Sequence, residues 1–476
     1  MYRTTQFAMD HLLQGQLALA DIERNGVRVD KTYMENITGE IDNQIDDLKK
    51  ELTSSKIFRQ WKKVFGDKAN LKSRPQLAEV LFKHIGFQSA GQTTSGRDRT
   101  DKMALDDIDH PFIRKYVEIE ELEKVKNTYI RGIQREIVER GGMYFVHPSY
   151  NLNTTRTMRS SCDNPNFQNV PIRNPRMAEI IRKCYIPRFD HFGEPDYSQI
   201  EVRISTCYHK DPEMIRYNKD PTTDMHRDTA CDLFLLPPDK ISKEVRHTAK
   251  NMFVFPEFYG SVYFQCAPSI WDSINRRNLM VEGSKTTILE HLNKKGITEL
   301  GDCDPKAINP ARTFVSHIKD VEKKFWDRFR IYTKWKKDWY QRYLDTGGWL
   351  THFGFGFNGH YKRNDVINYP IQCDAFHCNL WAISRINKWL RKNRFRSLVV
   401  GEIHDSIQLD LVESELDDVL SGIRKIMLDD LLKAFPWIIV PLESEVDIAP
   451  KGKSWNDKTL WVCNKEHWAP KSKDKK

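Results

Sequence analysis

Asp196-Tyr-Ser-Gln-Ile-Glu-Val-Arg203 is the stretch around which the chain is organised. Asp196 follows a predicted strand, and Glu201 lies in the first turn of a predicted helix. Much later in the chain a second acidic turn, His404-Asp405-Ser406, separates two predicted strands. Strands can hold two carboxylates rigidly together, and Mg²⁺ prefers such oxygen ligands. We therefore predict that Asp196 and Asp405 meet and bind two metal ions.

Composition limits the class of protein. The chain has 476 residues, is 39% hydrophobic and carries a net charge of +9 spread along its length. This charge favours a polyanionic partner and a basic channel rather than a basic arm. No apolar run reaches the length of a membrane span, and the first residues lack a signal peptide. The nine cysteines form no CxxC pair, which favours reduced thiols in a cytoplasm-like compartment.

The order of predicted elements indicates an α+β fold. Residues 8–54 are helical with a break at ERNGVRVD, residues 143–208 contain short strands, and residues 209–360 are again helical. Two strands follow within 396–411, where Ile407, Leu409 and Leu411 alternate with polar residues as in a half-buried strand. IIVPLESEVDIAP predicts further strands. The sheet segments therefore flank a helical insert.

The composition of three further segments also allows predictions. Residues 54–63 are basic with interleaved aromatics, which fits either a solvated helix face or contact with a phosphate backbone. Residues 88–104 are polar and glycine-containing, so we expect a flexible loop. The last residues, 465–476, are charged, and we expect a disordered tail.

A second chemical element is Arg246-His-Thr-Ala-Lys250, followed by aromatic residues up to Tyr259-Gly260. Arg246 and Lys250 are four residues apart and share one helix face. Two such cations can hold a triphosphate, and the aromatic residues can stack on a base. Alone, the segment is equally consistent with a solvated basic face.

Together these motifs resemble the family A DNA polymerases of the bacterial DNA polymerase I type. DYSQIEVR and IHDS are similar to the two palm carboxylate motifs, and RHTAK…FPEFYG is similar to the fingers helix. TMRSSCDNPNFQNVPIR, DMHRDTA and NYPIQCDAFHCNLWAIS resemble further family motifs, in the family's order. ERNGVRVD, NLKSRPQLAEVLF and ELEKVKNTYI resemble its thumb region.

The resemblance implies a right-hand polymerase fold with an antiparallel palm sheet, helical fingers and a helical thumb. Residues 1–140 would form the thumb and palm base, 141–208 the first part of the palm, 209–364 the fingers, and 365–464 the second part of the palm. Such a protein would extend a primer 3′-hydroxyl on a DNA template with deoxynucleoside triphosphates and release pyrophosphate.

The resemblance also implies residue roles. Asp196, Asp405 and the Tyr197 carbonyl would bind two Mg²⁺ ions, which Mn²⁺ can replace. Lys250 would also protonate pyrophosphate, and Glu201 would reject a 2′-hydroxyl. The nucleotide would contact Gln199, Glu201, His226, Arg246, Lys250, Phe255 and Tyr259. Primer and template would contact Arg159, Gln168, Asn169, Asn368, Gln372 and His404.

The chain departs from the family pattern in three places. The fingers helix has one extra residue, so either Phe255 or Val254 packs on the nucleotide; we favour Phe255 and expect a helix bulge near Pro256. If Phe255 has this role, the family pattern predicts strong discrimination against dideoxynucleotides. The strand before Asp196 reads HFGEP, so we expect it to be short or exposed. A basic run is missing from the late fingers loop, where Lys362 and Arg363 are the available replacements.

Two expectations concern activity and partners. We expect no 3′–5′ exonuclease in this phage-like chain, and a separate exonuclease or processivity subunit is an open alternative. We expect no membrane partner and a cytoplasmic location, in a bacterial host if a phage encodes the chain. The competing functions are a single-subunit RNA polymerase, which Glu201 and its context disfavour, and a non-catalytic DNA-binding protein, which needs neither carboxylate.

Overall fold

The computed structural model describes residues 1–89, 91–93, 96–171, 174–464 and 467–471. Among these residues no helix has both the length and the apolarity needed to cross a membrane. The described strands are β1 (Val27–Val29), β2 (Val138–Arg140), β3 (Met143–Val146), β4 (Ser149–Asn151), β5 (Ser161–Asp163), β6 (His191–Tyr197), β7 (Gly348–Leu350), β8 (Gly356–Asn358), β9 (Leu398–Ile403), β10 (Ser406–Leu411), β11 (Ser444–Ile448), β12 (Thr459–Asn464) and β13 (His467–Pro470).

Helices make up most of the remaining structure. The α-helices are α1 (Gln6–Asn25), α2 (Lys31–Ser54), α3 (Lys56–Phe65), α4 (Arg74–Ala78), α5 (Lys102–Asp106), α6 (Pro111–Lys124), α7 (Arg131–Arg135), α8 (Pro175–Arg182), α9 (Ile200–His209), α10 (Pro212–Lys219), α11 (Met225–Phe234), α12 (Lys243–Ala249), α13 (Phe255–Phe258), α14 (Tyr263–Arg276), α15 (Ile288–Lys294), α16 (Phe314–Arg328), α17 (Arg330–Thr346), α18 (Arg363–Lys392), α19 (Leu416–Lys425) and α20 (Leu431–Ala434). Wider π-helical turns cover Glu79–Ile85, Val125–Ile130, Lys250–Val254 and Ile426–Asp430.

A six-stranded antiparallel sheet in the order β13-β12-β11-β6-β10-β9 forms the centre of the molecule. The α+β prediction and its antiparallel sheet are therefore confirmed. The sheet joins β6 to strands that come much later in the chain. This long-range pairing brings the two predicted carboxylate motifs onto neighbouring strands.

The expectation of a short or exposed strand before Asp196 was wrong. β6 has seven residues and is a central strand with Phe192 only 1% exposed. Its pairing with β10 skips from Ser406↔Asp196 to Leu409↔Gly193, and Pro195, which has no N–H to donate, lies within that gap. Glu194 is also satisfied, because it accepts a hydrogen bond from Trp455 Nε1 at 2.7 Å.

β10 is buried on both faces, so the expectation of a half-buried strand was also wrong. Its polar side chains are tolerated because they have partners. Asp410 accepts hydrogen bonds from the backbone N–H groups of Arg188 and Phe189 at 2.8 and 2.9 Å. Gln408 donates to Ser406 Oγ at 2.8 Å. Alternation therefore predicted the strand but not its environment.

The N-terminal part of the chain is mainly helical, as predicted. α1 ends at Gly26, which has φ +65°, and Asp30 caps α2 by accepting from the Tyr33 N–H at 2.9 Å. In the basic stretch 54–63, Phe58 and Trp61 are buried in the core. Those two aromatic rings are therefore not available to a phosphate backbone, while the cations remain on the helix.

The packing divides the described residues into two apolar cores. The buried members of the second core lie between Val202 and Tyr332, within helices α9 to α17. The predicted fingers continue to residue 364, but the hairpin β7–β8 packs with the first core and with N-terminal residues: Thr5 N–H donates to the Gly354 carbonyl at 2.9 Å. The domain boundaries themselves stay predictions.

The expectation of a disordered tail from residue 465 was wrong for residues 467–470. These residues form β13 and pair with β12, and Trp468 is buried at the edge of the sheet. Its backbone N–H donates to Asp417 at 2.7 Å. Residues 465, 466 and 472–476 lie outside the described residues, as do residues 90, 94 and 95 of the predicted loop 88–104.

Candidate active site

Asp196 lies on β6, and Asp405 lies in the turn just before β10, the neighbouring strand of the central sheet. Ser406 pairs with Asp196, and the Tyr197 N–H donates to the Asp405 carbonyl at 3.2 Å. His404 takes a left-handed conformation with φ +61° in the turn between β9 and β10. Asn379, a buried residue of α18, donates to the His404 carbonyl at 3.3 Å. The backbone and α18 therefore fix the turn that presents Asp405.

The environment of the two carboxylates disfavours their charges. Burial raises the pKa of Asp196, and the nearby Asp405 raises it further. Burial also raises the pKa of Asp405, with smaller contributions from Glu201 and Glu194. Asp196 Oδ1 is buried and has no hydrogen-bond partner. Two crowded carboxylates with an unsatisfied oxygen suit a bound cation.

The donor set suits a hard metal ion that also uses ligands from its substrate. Among the described residues no group of three or more His, Cys, Asp and Glu side chains is arranged to hold a metal. Mg²⁺ typically uses one or two carboxylates, with waters and phosphate oxygens completing its coordination. Asp196 and Asp405 therefore fit a Mg²⁺ site, and Tyr197 follows Asp196 at the end of β6.

Residues 243–258, here called the cationic helix, consist of α12, the π turn Lys250–Val254 and α13. The Phe255 N–H bonds to the Lys250 carbonyl, five residues back. The predicted bulge is confirmed, because this wide turn absorbs one residue. Pro256 lies in the first turn of α13. Val254 is completely buried in the second core, while Phe255 lines a cavity.

The two predicted cations of this helix have different partners. Arg246 Nε lies 2.6 Å from Asp224 Oδ2, a residue that the sequence analysis did not select. Asp224 also caps α11 by accepting from the Arg227 N–H. Lys250 Nζ lies 5.1 Å from the centre of the Phe255 ring. Burial lowers the pKa of Lys250, and the neighbouring Arg246 lowers it further.

A cavity of about 200 Å³ lies between α9, α13, α17 and α18, and Asp405 also lines it. Glu201 binds Arg159 Nη2 through one carboxylate oxygen and the Tyr259 hydroxyl through the other. Tyr259 is 41% exposed. Asn368 Nδ2 donates to the Tyr259 carbonyl at 3.3 Å. The cavity brings together these predicted residues: Gln199, Glu201, Phe255, Tyr259, Asn368 and Asp405.

His226 lies deeper than its predicted phosphate contact suggests. It is 2% exposed, and its Nε2 lies 3.2 Å from Gln199 Oε1. Its ring centre is 5.8 Å from that of Phe255. Burial, with Arg246 and Lys250, lowers the pKa of His226 to about 4, which favours the neutral ring. His226 and Gln199 line a second depression together with Arg246.

A buried network lies behind the predicted primer and template residues. Gln168 Nε2 donates to Glu402 Oε2 at 2.9 Å, and Ser160 Oγ donates to the same oxygen at 2.7 Å. Arg159 Nε reaches the Gln372 carbonyl at 3.5 Å. Asn169 lies with Gln168 in a separate cleft next to the N-terminal helices. Asn368 lines the cavity with Glu201, whereas Gln168 and Asn169 line the other cleft.

Sequence reasoning missed several residues of this region. Glu402 is fully buried, and Glu445 on β11 pairs in register with Asp196. The sequence predicted a strand around Glu445. Only the order of strands in the folded sheet shows that Glu445 lies beside Asp196. Asp224 is a typical N-terminal capping residue for α11. Nothing in the sequence indicated its contact with Arg246.

The central sheet and the helices around it define an α+β protein, in which the carboxylate pair suits a metal ion and the cationic helix suits an anionic ligand. Residues 32–277, which are more than half of the chain, match the family model described as DNA polymerase family A. The chain therefore belongs to DNA polymerase family A, and the predicted family is confirmed.

Individual relatives agree with this assignment. The chain is 26% identical over 507 residues to a DNA polymerase of Bacillus phage SP01, in a match covering 94% of this chain and 50% of that protein. It is 33% identical over 238 residues to the thermostable DNA polymerase I of Thermus aquaticus, covering 49% of this chain and 27% of that protein. The chain thus spans half or less of the length of these relatives.

A solved structure shows the same fold. The POL domain of Pol1 from M. smegmatis, solved as a complex with DNA primer-template and dNTP, superposes with a TM-score of 0.72. It is 23% identical in sequence, and the match covers 94% of this chain and 70% of that chain. The right-hand polymerase fold is therefore confirmed.

Proposed function

We propose that this chain is a template-directed DNA polymerase that extends a primer 3′-hydroxyl with deoxynucleoside triphosphates and releases pyrophosphate. The observation that carries this proposal is that Asp196 on β6 lies next to the turn that holds Asp405, in a chain of DNA polymerase family A. The cavity in front of the pair and the two cations of the cationic helix support it.

Asp196, Asp405 and the Tyr197 carbonyl would hold two Mg²⁺ ions, which Mn²⁺ can replace. When bound, the ions activate the attacking hydroxyl and stabilise the leaving oxygen. The unpartnered Asp196 Oδ1 and the mutual repulsion of the carboxylates support this assignment.

Arg246 and Lys250 would bind the triphosphate, and Lys250 would pass a proton to the departing pyrophosphate. The lowered pKa of Lys250 supports this role, because it makes the ammonium a stronger acid. To bind the triphosphate, Arg246 has to release Asp224 or contact Asp224 and a phosphate at the same time. His226 would support the same phosphates through its neighbours, Gln199 and Phe255.

Glu201, Phe255 and Tyr259 would select the sugar and base of the nucleotide. The Tyr259 hydroxyl bonds to Glu201 and lies in the cavity, consistent with Tyr259 holding the template-base position before closure. Glu201 would exclude a 2′-hydroxyl by occupying the space beneath the sugar. Movement of α13 together with Tyr259 would then make room for a nucleotide that is correctly paired with the template base.

Primer and template would contact a set of polar side chains near the new base pair. Hydrogen bonds to minor-groove acceptors can test the shape of a pair without reading its sequence. The buried bonds from Gln168 to Glu402 and from Arg159 to the Gln372 carbonyl would hold two of these side chains in place. The proposed contact residues are Arg159, Gln168, Asn169, Asn368, Gln372 and His404.

Primer extension with Mg²⁺ tests the function directly. We expect the parent protein to add deoxynucleotides in template order and Asp405→Ala to lose this activity. Equal extension by the two proteins would contradict the site. Preference for ribonucleotides would indicate an RNA polymerase, and binding without extension would indicate a non-catalytic DNA-binding protein. Equal use of deoxy- and dideoxynucleotides would count against the packing role of Phe255.

Three related predictions remain to be tested. The absence of proofreading is tested with a mismatched primer: degradation that survives loss of Asp405 would contradict it. A separate exonuclease or processivity subunit would need a docking surface, and Met9, Leu13 and Leu17 form an exposed apolar row on α1. A location in a bacterial cytoplasm is supported by the phage relative.

A further inference from the structure

Glu257 is a buried carboxyl group within the cationic helix. It lies on α13 between Phe255 and Tyr259 and is only 1% exposed. Trp326 Nε1 donates a hydrogen bond to Glu257 Oε2 at 2.9 Å, and the Cys266 thiol lies 3.7 Å from Oε1. A carboxyl group this deep in an apolar core needs a specific reason to be there.

Glu322 of α16 faces Glu257 from the neighbouring helix. Its Oε1 accepts the Tyr263 N–H, at the start of α14, at 2.7 Å. Their partners bring the two carboxyl groups together, because Trp326 lies one turn after Glu322 on α16 and Cys266 lies one turn after Tyr263 on α14. Two ionised carboxylates have no hydrogen to share, so a bond between them requires a proton on one of them. Without that proton they repel each other in a poorly solvated place.

The other charged groups around the pair do not remove this requirement. Lys336 of α17 lies 3.1 Å from the centre of the Trp326 ring and attracts both carboxylates. Lys319 also faces Glu322, and Arg363 faces Lys336. Burial, followed by Glu322, raises the pKa of Glu257 to about 8, and burial also raises the pKa of Glu322. Burial lowers the pKa of Lys336 to about 7.

We propose that Glu257 and Glu322 are positioning residues that share one proton and thereby hold α13 against α16 and the start of α14. This pair sets where Phe255 and Tyr259 face the cavity, because Glu257 lies in α13, which begins at Phe255 and is capped by Tyr259. Loss of the shared proton separates the carboxylates and releases α13. The inference rests on the proposed polymerase function for its effect on catalysis, but not for the existence of the pair.

The test compares the parent with Glu257→Gln and Glu322→Gln in primer extension from about pH 6 to about pH 10. Glutamine at 257 keeps an acceptor for Trp326 and supplies a permanent N–H for Glu322, so it mimics the protonated pair. Above the pKa of the pair, the rate of each variant relative to the parent should rise by up to about tenfold per pH unit. Asp327→Asn removes an exposed carboxylate of α16 and should give a constant ratio.

A constant ratio for both glutamine variants would overturn the proposal. Denaturant unfolding gives a second readout that needs no catalysis. The pKa of Glu257 is raised from 4.5 in the folded state, so its protonated form stabilises the fold and that stability is lost as pH rises towards about 8. The parent should therefore lose stability relative to Glu257→Gln over this window. Lys336 has the opposite trend and is present in both proteins, so the difference between them reports on the pair together with its attraction to Lys336.

The two readouts separate the inference from the proposed function. If the stability difference appears while the parent does not extend a primer, the pair exists and the polymerase proposal fails. If the parent extends a primer but neither the rate ratio nor the stability difference changes with pH, the pair is wrong and the polymerase proposal stands.

Discussion

The carboxylate pair and the cationic helix form two sides of one site, but different forces hold them. Asp196 is fixed by the backbone pairing of β6 with β10, and Asp405 is fixed by its place in the turn before β10 and by the bond of its carbonyl with the Tyr197 N–H. The Arg246 guanidinium contacts Asp224, and the Tyr259 hydroxyl contacts Glu201. Side-chain contacts of this kind are weak and exchangeable.

This difference separates two tasks. A metal site needs fixed ligand geometry, which a central sheet supplies. A site that accepts a different base pair in each cycle needs parts that can release one partner and bind another. We therefore expect substitution of the proposed metal-binding carboxylates to abolish the reaction, and substitutions in the helical side to change its affinity, selectivity, rate or pH dependence.

The largest effect is expected for Asp405→Asn. Extension should fall by at least about a thousandfold, because a charged metal ligand is lost.

The same variant should change thermal stability. With a chelator present to remove metal ions, Asp405→Asn should melt at a higher temperature than the parent at neutral pH, because the substitution removes charge repulsion with Asp196. Both folded-state pKa values are raised, so the parent should regain stability as pH falls from about 8 to about 6. Circular dichroism melting curves measure this.

Asp410→Asn is the matched control, because it changes a buried carboxylate on β10, the strand that follows Asp405. Asp410 accepts two backbone hydrogen bonds, and an amide cannot replace both acceptor oxygens. This variant should melt at a lower temperature by an amount equivalent to roughly 1–3 kcal/mol, with extension per folded molecule retained. If Asp405→Asn instead behaves like Asp410→Asn, Asp405 is a structural carboxylate.

Lys250→Gln should have the next largest effect. Loss of the proton donor should lower kcat by about a hundredfold to a thousandfold. The parent rate should decline at alkaline pH, below the range of an ordinary lysine, because burial and Arg246 lower the pKa of Lys250. This decline should be absent from the variant in single-turnover pH profiles. Arg246→Gln is the comparison: it should chiefly raise the KM for nucleotide, and an equal loss of kcat would mean that both cations only bind.

The sheet side of the site was the more predictable one. Local pattern predicted a strand before Asp196 and two strands around Asp405, but the pairing of strands from distant parts of the chain does not follow from local pattern. The resemblance to the family motifs indicated that the two carboxylates meet. The bulge before Pro256 was also predictable, because a helix usually accommodates one inserted residue by forming a wider π turn. The burial of β6 was not, because it depends on the late strands β10 and β11.

The helical side was less predictable because its contacts depend on side-chain positions. Asp224 shows a cap pattern, but its contact with Arg246 joins two different helices. His226 was expected at the phosphates and lies buried behind Gln199. Glu257 lies in an aromatic run that gives no sign of a partner, and Glu322 is distant in sequence. Such pairs arise only when the second core is packed.

Glu201→Ala should change selectivity more than rate. Removing the side chain opens the space beneath the sugar and frees both Arg159 and Tyr259. The preference for deoxy- over ribonucleotides, measured as a ratio of kcat/KM, should fall by about tenfold to a hundredfold. Glu201→Gln keeps the volume and an acceptor for Tyr259, so it should retain most of the preference. A large loss in the glutamine variant would show that charge, and not volume, excludes the 2′-hydroxyl.

Asp224→Asn should have the smallest effect, and it tests whether the helical side really exchanges partners. Asparagine caps a helix about as well as aspartate, so α11 should remain intact. The variant weakens only the ion pair with Arg246, which is partly exposed. Freed from this competitor, Arg246 should bind the triphosphate more tightly, and the KM for nucleotide should fall by about twofold to fivefold.

The double variant Asp224→Asn/Arg246→Gln decides the interpretation. If Asp224 competes with the triphosphate for Arg246, its removal has no benefit once Arg246 is absent, and the double variant should match Arg246→Gln alone. If Asp224 instead orients Arg246 towards the nucleotide, the single variant should raise KM. That result would mean that Arg246, like the carboxylate pair, keeps its partner during the reaction. Exchange of partners on the helical side would then be limited to Glu201 and Tyr259.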